Sequence, residues 1–80
     1  MVKVKICGLK SISTVTYAVR CGVDYIGFVF FEKSPRFVDI YSARKLTDLV
    51  PAEIKTVGLF VNASRRHIEK VSKEARLDYL

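Results

Sequence analysis

Hydrophobic and polar positions along this chain follow the periods of strands and helices in turn, and they predict four strands separated by three helices. Residues 2–7 alternate with a period of two, which is typical of a strand with two different faces. Residues 24–30 are almost all apolar, aromatic or glycine, which indicates a parallel strand covered on both faces. Residues 55–61 predict a third strand, and residues 77–80 predict the beginning of a fourth.

The predicted helices are marked by residues that cap or stop them. The first should end at Gly22, because glycine readily adopts the left-handed conformation that follows many helices. The second should run to about residue 49, because Pro51 disfavours helix at the residue before it. The third should cover residues 65–75. The candidate N-caps are Ser11 or Ser13 for the first helix, Asp39 for the second, and Asn62 or Ser64 for the third.

The spacing of the strands predicts the fold class. Strands that begin near residues 2, 24, 55 and 77 suit βα units, in which right-handed crossovers join parallel strands. No linker or low-complexity stretch divides the 80 residues, so they form one small domain or a piece of a larger one. A parallel sheet that stopped at the last strand would leave strand edges open. We therefore expect a truncated βα molecule.

Cys7 lies at the tip of the first predicted strand, where βα proteins carry their functional groups. Alternation places it on the same face as Lys3 and Lys5, opposite Val4 and Ile6. In a barrel, the apolar face would pack under the helices and the face with Cys7 would point inward. Two lysines and a thiol are costly to bury for stability alone, so a functional site explains them better. The alternative is an inert core thiol, the usual state of a free cysteine.

The chain is basic, with 14 lysines and arginines against 8 acidic residues and a net charge of +6. Such a charge favours an anionic partner, which could be a phosphate, an acidic substrate or nucleic acid. The basic helix is not accompanied by a nucleic-acid-binding motif, so we expect no nucleic-acid partner. The two cysteines indicate free thiols in a reducing cytoplasm. The longest apolar run, residues 25–31, is too short to span a bilayer, so we expect no membrane partner. The chain runs from Met1 straight into the first predicted strand, so we expect no targeting peptide.

Four blocks of the sequence carry a family resemblance. They are residues 5–9 (KICGL), 27–30 (GFVF), 33–37 (KSPRF) and 57–62 (VGLFVN). In order and spacing they resemble phosphoribosylanthranilate isomerase, a (β/α)8 TIM-barrel enzyme of tryptophan biosynthesis. The family's chain is longer. The resemblance therefore implies that residues 1–80 are the N-terminal part of a single barrel domain, with three βα units and the start of strand four.

The resemblance also implies a reaction and the residues that perform it. The substrate would be a phosphorylated aminoaldose, N-(5-phosphoribosyl)anthranilate, converted to an aminoketose by an Amadori rearrangement without metal or organic cofactor. Cys7 aligns with the general base, and Arg36 with a loop arginine expected near the anthranilate carboxylate. The family's general acid, an aspartate on a later strand, has no counterpart in these 80 residues. The loops that hold the substrate phosphate in this family are also absent from them. Lys10 stands where many members carry threonine.

Two further residues are candidates for the same site. Lys5 lies two positions before Cys7 on one strand face, about 6.5 Å away, and its charge would favour the thiolate that acts as a base. Asn62 ends the third strand at the functional edge, where it could contact substrate or cap the next helix. The alternative for Arg36 is that its side chain is simply exposed to solvent and contacts no substrate. His67 lies among charged helix positions without partner ligands, so no metal site is expected.

A second hypothesis treats the 80 residues as a non-catalytic α/β half-barrel that self-associates through its open edge. A complete flavodoxin-like domain is a weaker alternative, because no acidic cluster follows the first strand. Under the isomerase hypothesis the isolated chain should be inactive, because the acid and the phosphate site are missing. We also expect it to be marginally stable and to form homo-oligomers through open strand edges and apolar barrel-facing surface.

Overall fold

Three consecutive βα units make up residues 3–79, which are the residues described by the computed structural model. Their order confirms the alternation of strands and helices predicted above. Residue 2 of the predicted first strand and residue 80 of the predicted fourth lie outside the described residues. The elements are β1 (Lys5–Cys7), α1 (Ile12–Arg20), β2 (Tyr25–Val29), α2 (Ile40–Thr47), β3 (Lys55–Leu59) and α3 (Arg65–Glu74).

The three strands form one parallel sheet in the order β1-β2-β3. Cys7 pairs with Gly27, and Gly27 pairs with Val57, so these three residues share one level and one face of the sheet. Tyr79 forms a parallel bridge to Val57, which confirms that a fourth strand begins beside β3. All carboxyl ends therefore meet at one edge of the sheet, as in a βα barrel.

The hydrophobic core lies between the outer face of the sheet and the helices. Ile26 and Phe28 of β2 are fully buried against helix residues that include Val15 and Val71. Burying each such side chain contributes about 1.5–3 kcal/mol. Among residues 3–79, no helix is long and apolar enough to cross a membrane.

Val4 corrects one expectation about the first strand. Ile6 packs against the core as predicted, but Val4 is 48% exposed. Its backbone N–H instead donates to Asp24 Oδ2 at 2.7 Å, and its carbonyl accepts from the Asp24 N–H at 2.8 Å. Val4 thus precedes β1 and holds the turn before β2, and its side chain stays outside the core cluster.

The helix caps decide between the alternatives left by the sequence. Ser11 caps α1 by accepting from the Thr14 N–H at 3.3 Å, and Ser64 caps α3 by accepting from the His67 N–H at 3.2 Å. Asp39 caps α2 as expected. Gly22 follows α1 with φ +74, and the residue in the same place after α3 is Arg76, with φ +57.

Candidate active site

Cys7 ends β1 with its sulfur above Gly27 of the neighbouring strand. A Cβ atom placed on Gly27 would lie 2.9 Å from Cys7 Sγ, closer than such atoms approach each other. Glycine at this point therefore makes room for the thiol on the barrel-facing side of the sheet. Cys7 is half-buried and has no disulfide partner.

Gly8 turns the chain directly after the thiol. Its φ of +81 lies in the left-handed region that glycine adopts without strain. Its N–H donates to Gly27 O at 2.9 Å, which holds the turn against β2. A Cβ here would also crowd the Arg36 side chain, which would have to shift, so the backbone conformation is the main reason for glycine next to Cys7.

The loop between β2 and α2 folds back toward β1. The Ser34 N–H donates to Phe31 O at 3.0 Å and the Phe37 N–H donates to Ser34 O at 3.1 Å, so the loop is tightly turned. The Val38 N–H then donates to Val29 O at 2.9 Å. Val29 O points to the same edge of β2 as the carbonyl of Gly27, because the two residues are two positions apart on one strand. The loop therefore returns along the edge of β2 that faces β1, next to the turn at Gly8.

This return places the Arg36 side chain across Gly8, the residue that follows Cys7. The aliphatic part of the Arg36 side chain contacts the Gly8 backbone, and the residue is exposed. Two residues that are 29 positions apart in the sequence, Cys7 and Arg36, are thereby brought to one place. A base and a planar cation at the same edge of the sheet can together bind an acidic substrate and take a proton from it.

Lys5 lies lower on the same face as Cys7. It lines a shallow depression with Tyr25, Val57 and Tyr79, and it is exposed. Its place on the strand puts it two residues before Cys7, on the same face of the sheet.

Asn62 lies at the same C-terminal edge, but it follows β3, two strands away from Cys7. It adopts the left-handed region with φ +51, and Ser64 caps the helix that follows. Asn62 therefore shapes the turn after β3 and is not the cap of α3.

Lys10 is a residue of the site region to which the sequence argument assigned no role. Its Nζ donates to Pro35 O at 2.7 Å, which links the β1–α1 loop to the β2–α2 loop. Only the folded loop reveals this contact, because the partners are 25 residues apart and the acceptor is a backbone carbonyl.

The described residues contain no candidate metal site. Within residues 3–79, no three His, Cys, Asp or Glu side chains gather in a way that could hold a metal ion. The pKa of Asp39 at the start of α2 is lowered, mainly because the Ser42 N–H donates to its carboxylate.

Comparison with known proteins places this geometry in a family. The family model for N-(5'-phosphoribosyl)anthranilate (PRA) isomerase matches residues 4–80. The chain belongs to the phosphoribosylanthranilate isomerase family. The isomerase of Pseudomonas putida strain GB-1 is 46% identical over 79 residues, which are 99% of this chain and 38% of that protein. The chain therefore spans well under half the length of such phosphoribosylanthranilate isomerases.

Solved structures agree on the fold. The phosphoribosylanthranilate isomerase of Thermotoga maritima matches 98% of this chain and 38% of its own, with a TM-score of 0.94 and 36% identity. An isomerase in complex with reduced 1-(o-carboxyphenylamino)-1-deoxyribulose 5-phosphate matches 98% of this chain and 40% of its own, with a TM-score of 0.95 and 36% identity. The predicted fold, a partial (β/α)8 barrel, is confirmed.

Proposed function

We propose that this chain is the N-terminal part of a single (β/α)8-barrel domain that isomerises N-(5-phosphoribosyl)anthranilate in tryptophan biosynthesis, in the cytoplasm. The observation that carries the proposal is Cys7 at a strand tip, with Arg36 packed across the next residue, Gly8, in a chain whose residues 4–80 match this family. The product is 1-(2-carboxyphenylamino)-1-deoxyribulose 5-phosphate.

The reaction needs one acid and one base. The acid protonates the furanose ring oxygen, so that the ring opens and leaves a Schiff base at C1. The base then removes the proton from C2, and the resulting enolamine tautomerises to the ketone. Each step is a proton transfer, which a positioned side chain typically accelerates by about 10²–10⁴-fold.

Cys7 is the base in this proposal. Its sulfur lies over Gly27 on the barrel-facing side, so a sugar carbon can approach it without displacing a side chain of β2. Lys5 lies two residues before Cys7 on the same face of the sheet, where its ammonium can bind an acidic substrate.

Arg36 binds the anthranilate carboxylate. A guanidinium presents two parallel N–H donors, which match the two oxygens of a carboxylate. Its place across Gly8, the residue after Cys7, sets the distance between the aromatic acid and the reacting sugar carbons. Asn62, at the same edge of the sheet, contacts the substrate from the third unit.

The test replaces the two cysteines in the full-length protein. Cys7→Ser should lower kcat by about 10²–10⁴-fold with KM changed only a few-fold, because the base acts in the chemical step. Cys21→Ser is the matched control, since Cys21 is an exposed thiol at the end of α1. Near-normal turnover by Cys7→Ser would refute Cys7 as the base.

The isolated 80-residue chain should not turn over the substrate. The proposed acid and phosphate-binding loops lie outside these residues, so the chain offers a base and a carboxylate site only. Measurable turnover by the pure chain would contradict this part of the proposal.

A non-catalytic, self-associating half-barrel is the second candidate. Leu59 and Tyr79 favour it, because both lie on the barrel-facing side of the sheet and are 36% and 52% exposed. Its test concerns assembly and is argued at the scale of the whole molecule below.

A further inference from the structure

The peptide unit that carries Arg36 is held from both sides. The carbonyl of Pro35 accepts a hydrogen bond from Lys10 Nζ at 2.7 Å, and the N–H of Arg36 donates to Ser34 Oγ at 3.1 Å. These two groups belong to one planar peptide unit, so fixing both leaves that plane little freedom. The Cα of Arg36 is fixed with it.

The two holds differ in what they connect. Ser34 belongs to the same loop as Arg36, so its hydrogen bond shapes the loop without placing it. Lys10 belongs to the segment that follows Cys7 and Gly8. Its ammonium is therefore the side-chain link that places the Arg36 loop relative to the thiol, and a charged donor makes that link stronger than a neutral one.

Gly8 contributes to the placement of Arg36 by leaving room for its side chain. The Arg36 side chain crosses Gly8 where a Cβ would stand, so it rests on the backbone of the Cys7–Gly8 turn. Lys10 thus fixes the backbone before Arg36, and the absence of a Cβ on Gly8 leaves room for the Arg36 side chain. A threonine at position 10 has no side chain long enough to span from the β1–α1 loop to Pro35.

We propose that Lys10 is a positioning residue, which ties the β2–α2 loop to the β1–α1 loop and so aims Arg36 at the substrate carboxylate. This inference rests on the proposed isomerase function, and it concerns binding of the anthranilate end of the substrate. Lys10 itself touches no reacting atom.

The first measurement is steady-state kinetics of the full-length protein. Lys10→Met and Lys10→Thr should raise KM for phosphoribosylanthranilate about 3- to 10-fold and leave kcat within about twofold, because the loss is in substrate placement. Lys10→Arg, which can still donate to Pro35 O, should restore KM. In an Arg36→Met background, Lys10→Met should change KM less than about twofold, because its effect passes through Arg36.

The second measurement is amide hydrogen exchange, which needs no activity. Lys10→Met should speed exchange of the Arg36 and Phe37 amides about 3- to 10-fold relative to the wild type. Lys73→Met is the control for both measurements, because it removes one exposed charge in the last turn of α3, an element that belongs to neither loop. It should change neither quantity.

The two measurements separate this proposal from the function on which it rests. A wild-type protein without isomerase activity would refute the proposed function. The exchange rates would still test whether the hydrogen bond from Lys10 to Pro35 O holds the β2–α2 loop (the tether). Unchanged exchange in Lys10→Met would overturn the tether, even if KM rose. Faster exchange with unchanged KM in an active protein would overturn the positioning role.

Discussion

At the scale of single residues, Arg76 carries a side chain at a left-handed backbone position that follows a helix. It adopts φ +57 in the place where Gly22 adopts φ +74 after α1. A residue with a Cβ is disfavoured there, whereas glycine is not. Three neighbouring carbonyls are held from other elements: Glu74 O by Arg44, Ala75 O by Thr47 and Arg76 O by Thr56. Tertiary contacts therefore impose this turn on an unsuitable residue.

Arg76→Gly should stabilise the chain by up to about 1 kcal/mol, because it removes the strain of the left-handed conformation. The Arg76–Asp48 ion pair, 3.4 Å long and exposed, is also lost but contributes little. The measurement is the urea midpoint at fixed protein concentration. Arg76→Ala is the control, since it loses the ion pair and keeps the strain. Equal midpoints for the glycine and alanine variants would refute the argument.

Asp39 gives a pH dependence whose sign follows from its hydrogen bonds. Its pKa is lowered in the folded chain, mainly by the N–H of Ser42 and next by the Ser42 side chain. Because the folded pKa lies below the unfolded value of about 3.9, the stabilisation is present above that pH and is lost as pH falls through the folded pKa. Asp39→Asn keeps a capping oxygen that does not titrate. The urea midpoint of wild type should therefore exceed that of Asp39→Asn at pH 7, and the gap should shrink as the pH falls through the folded pKa. A constant gap would contradict this assignment.

The caps show what local sequence can predict. Asp39 and Gly22 were expected from the sequence because a cap depends on residues within one turn of the chain. Ser64 and Asn62 remained alternatives, since both can cap and only the backbone shows which does. Arg76 could not be foreseen as the left-handed residue, because distant carbonyl partners decide its conformation.

At the scale of elements, the turn into β2 and the turn into the fourth strand share one device. Asp24 accepts from the Val4 N–H at 2.7 Å, and Asp78 accepts from the Thr56 N–H at 2.8 Å. The second copy is stronger, because the Asp78 N–H also donates to Thr56 Oγ1 at 3.1 Å and Thr56 is only 3% exposed. Each aspartate thus anchors a new strand to the start of the previous one.

Asp78→Ala should destabilise the chain by about 1–3 kcal/mol, because it leaves the N–H of a buried residue without an acceptor. Asp78→Asn keeps one acceptor oxygen and should cost less. Asp24→Ala should also cost less than Asp78→Ala, because its hydrogen bond to Val4 is exposed. Urea midpoints of the three variants give this order. A larger loss from Asp24→Ala would refute the difference in burial as its cause.

The positions of the elements followed from the sequence more closely than their ends. Periodicity placed all three helices and all three strands, but β1 begins at Lys5 and β3 ends at Leu59, inside the expected ranges. The return of the β2–α2 loop could not be predicted from periodicity, because it depends on Val38 pairing with Val29 across a turn. Arg36 entered the candidate site only through the family resemblance, and Lys10 entered through the structure.

At the scale of the whole molecule, the barrel-facing side of the sheet differs from a finished surface. Its side chains include Lys5, Tyr25, Val57 and Tyr79, which line a shallow depression, and Leu59 near the C-terminal edge. In a complete barrel this side would be the packed interior. In residues 3–79 it is open, and an open apolar face beside unpaired strand edges favours association with another copy.

The isolated chain should therefore self-associate through this face. Two leucine substitutions test whether the barrel-facing side is the surface through which it associates. Leu59→Lys places a charge on the barrel-facing side, while Leu49→Lys places the same charge in the loop after α2; the two leucines are 36% and 44% exposed. Because a charge buried in an interface is costly, Leu59→Lys should weaken association at least about tenfold and Leu49→Lys should change it little. Sedimentation velocity over a concentration series measures both. Equal weakening by the two variants would show that association is not specific to the barrel-facing side, and a wild-type chain that stays monomeric would refute the half-barrel assembly itself.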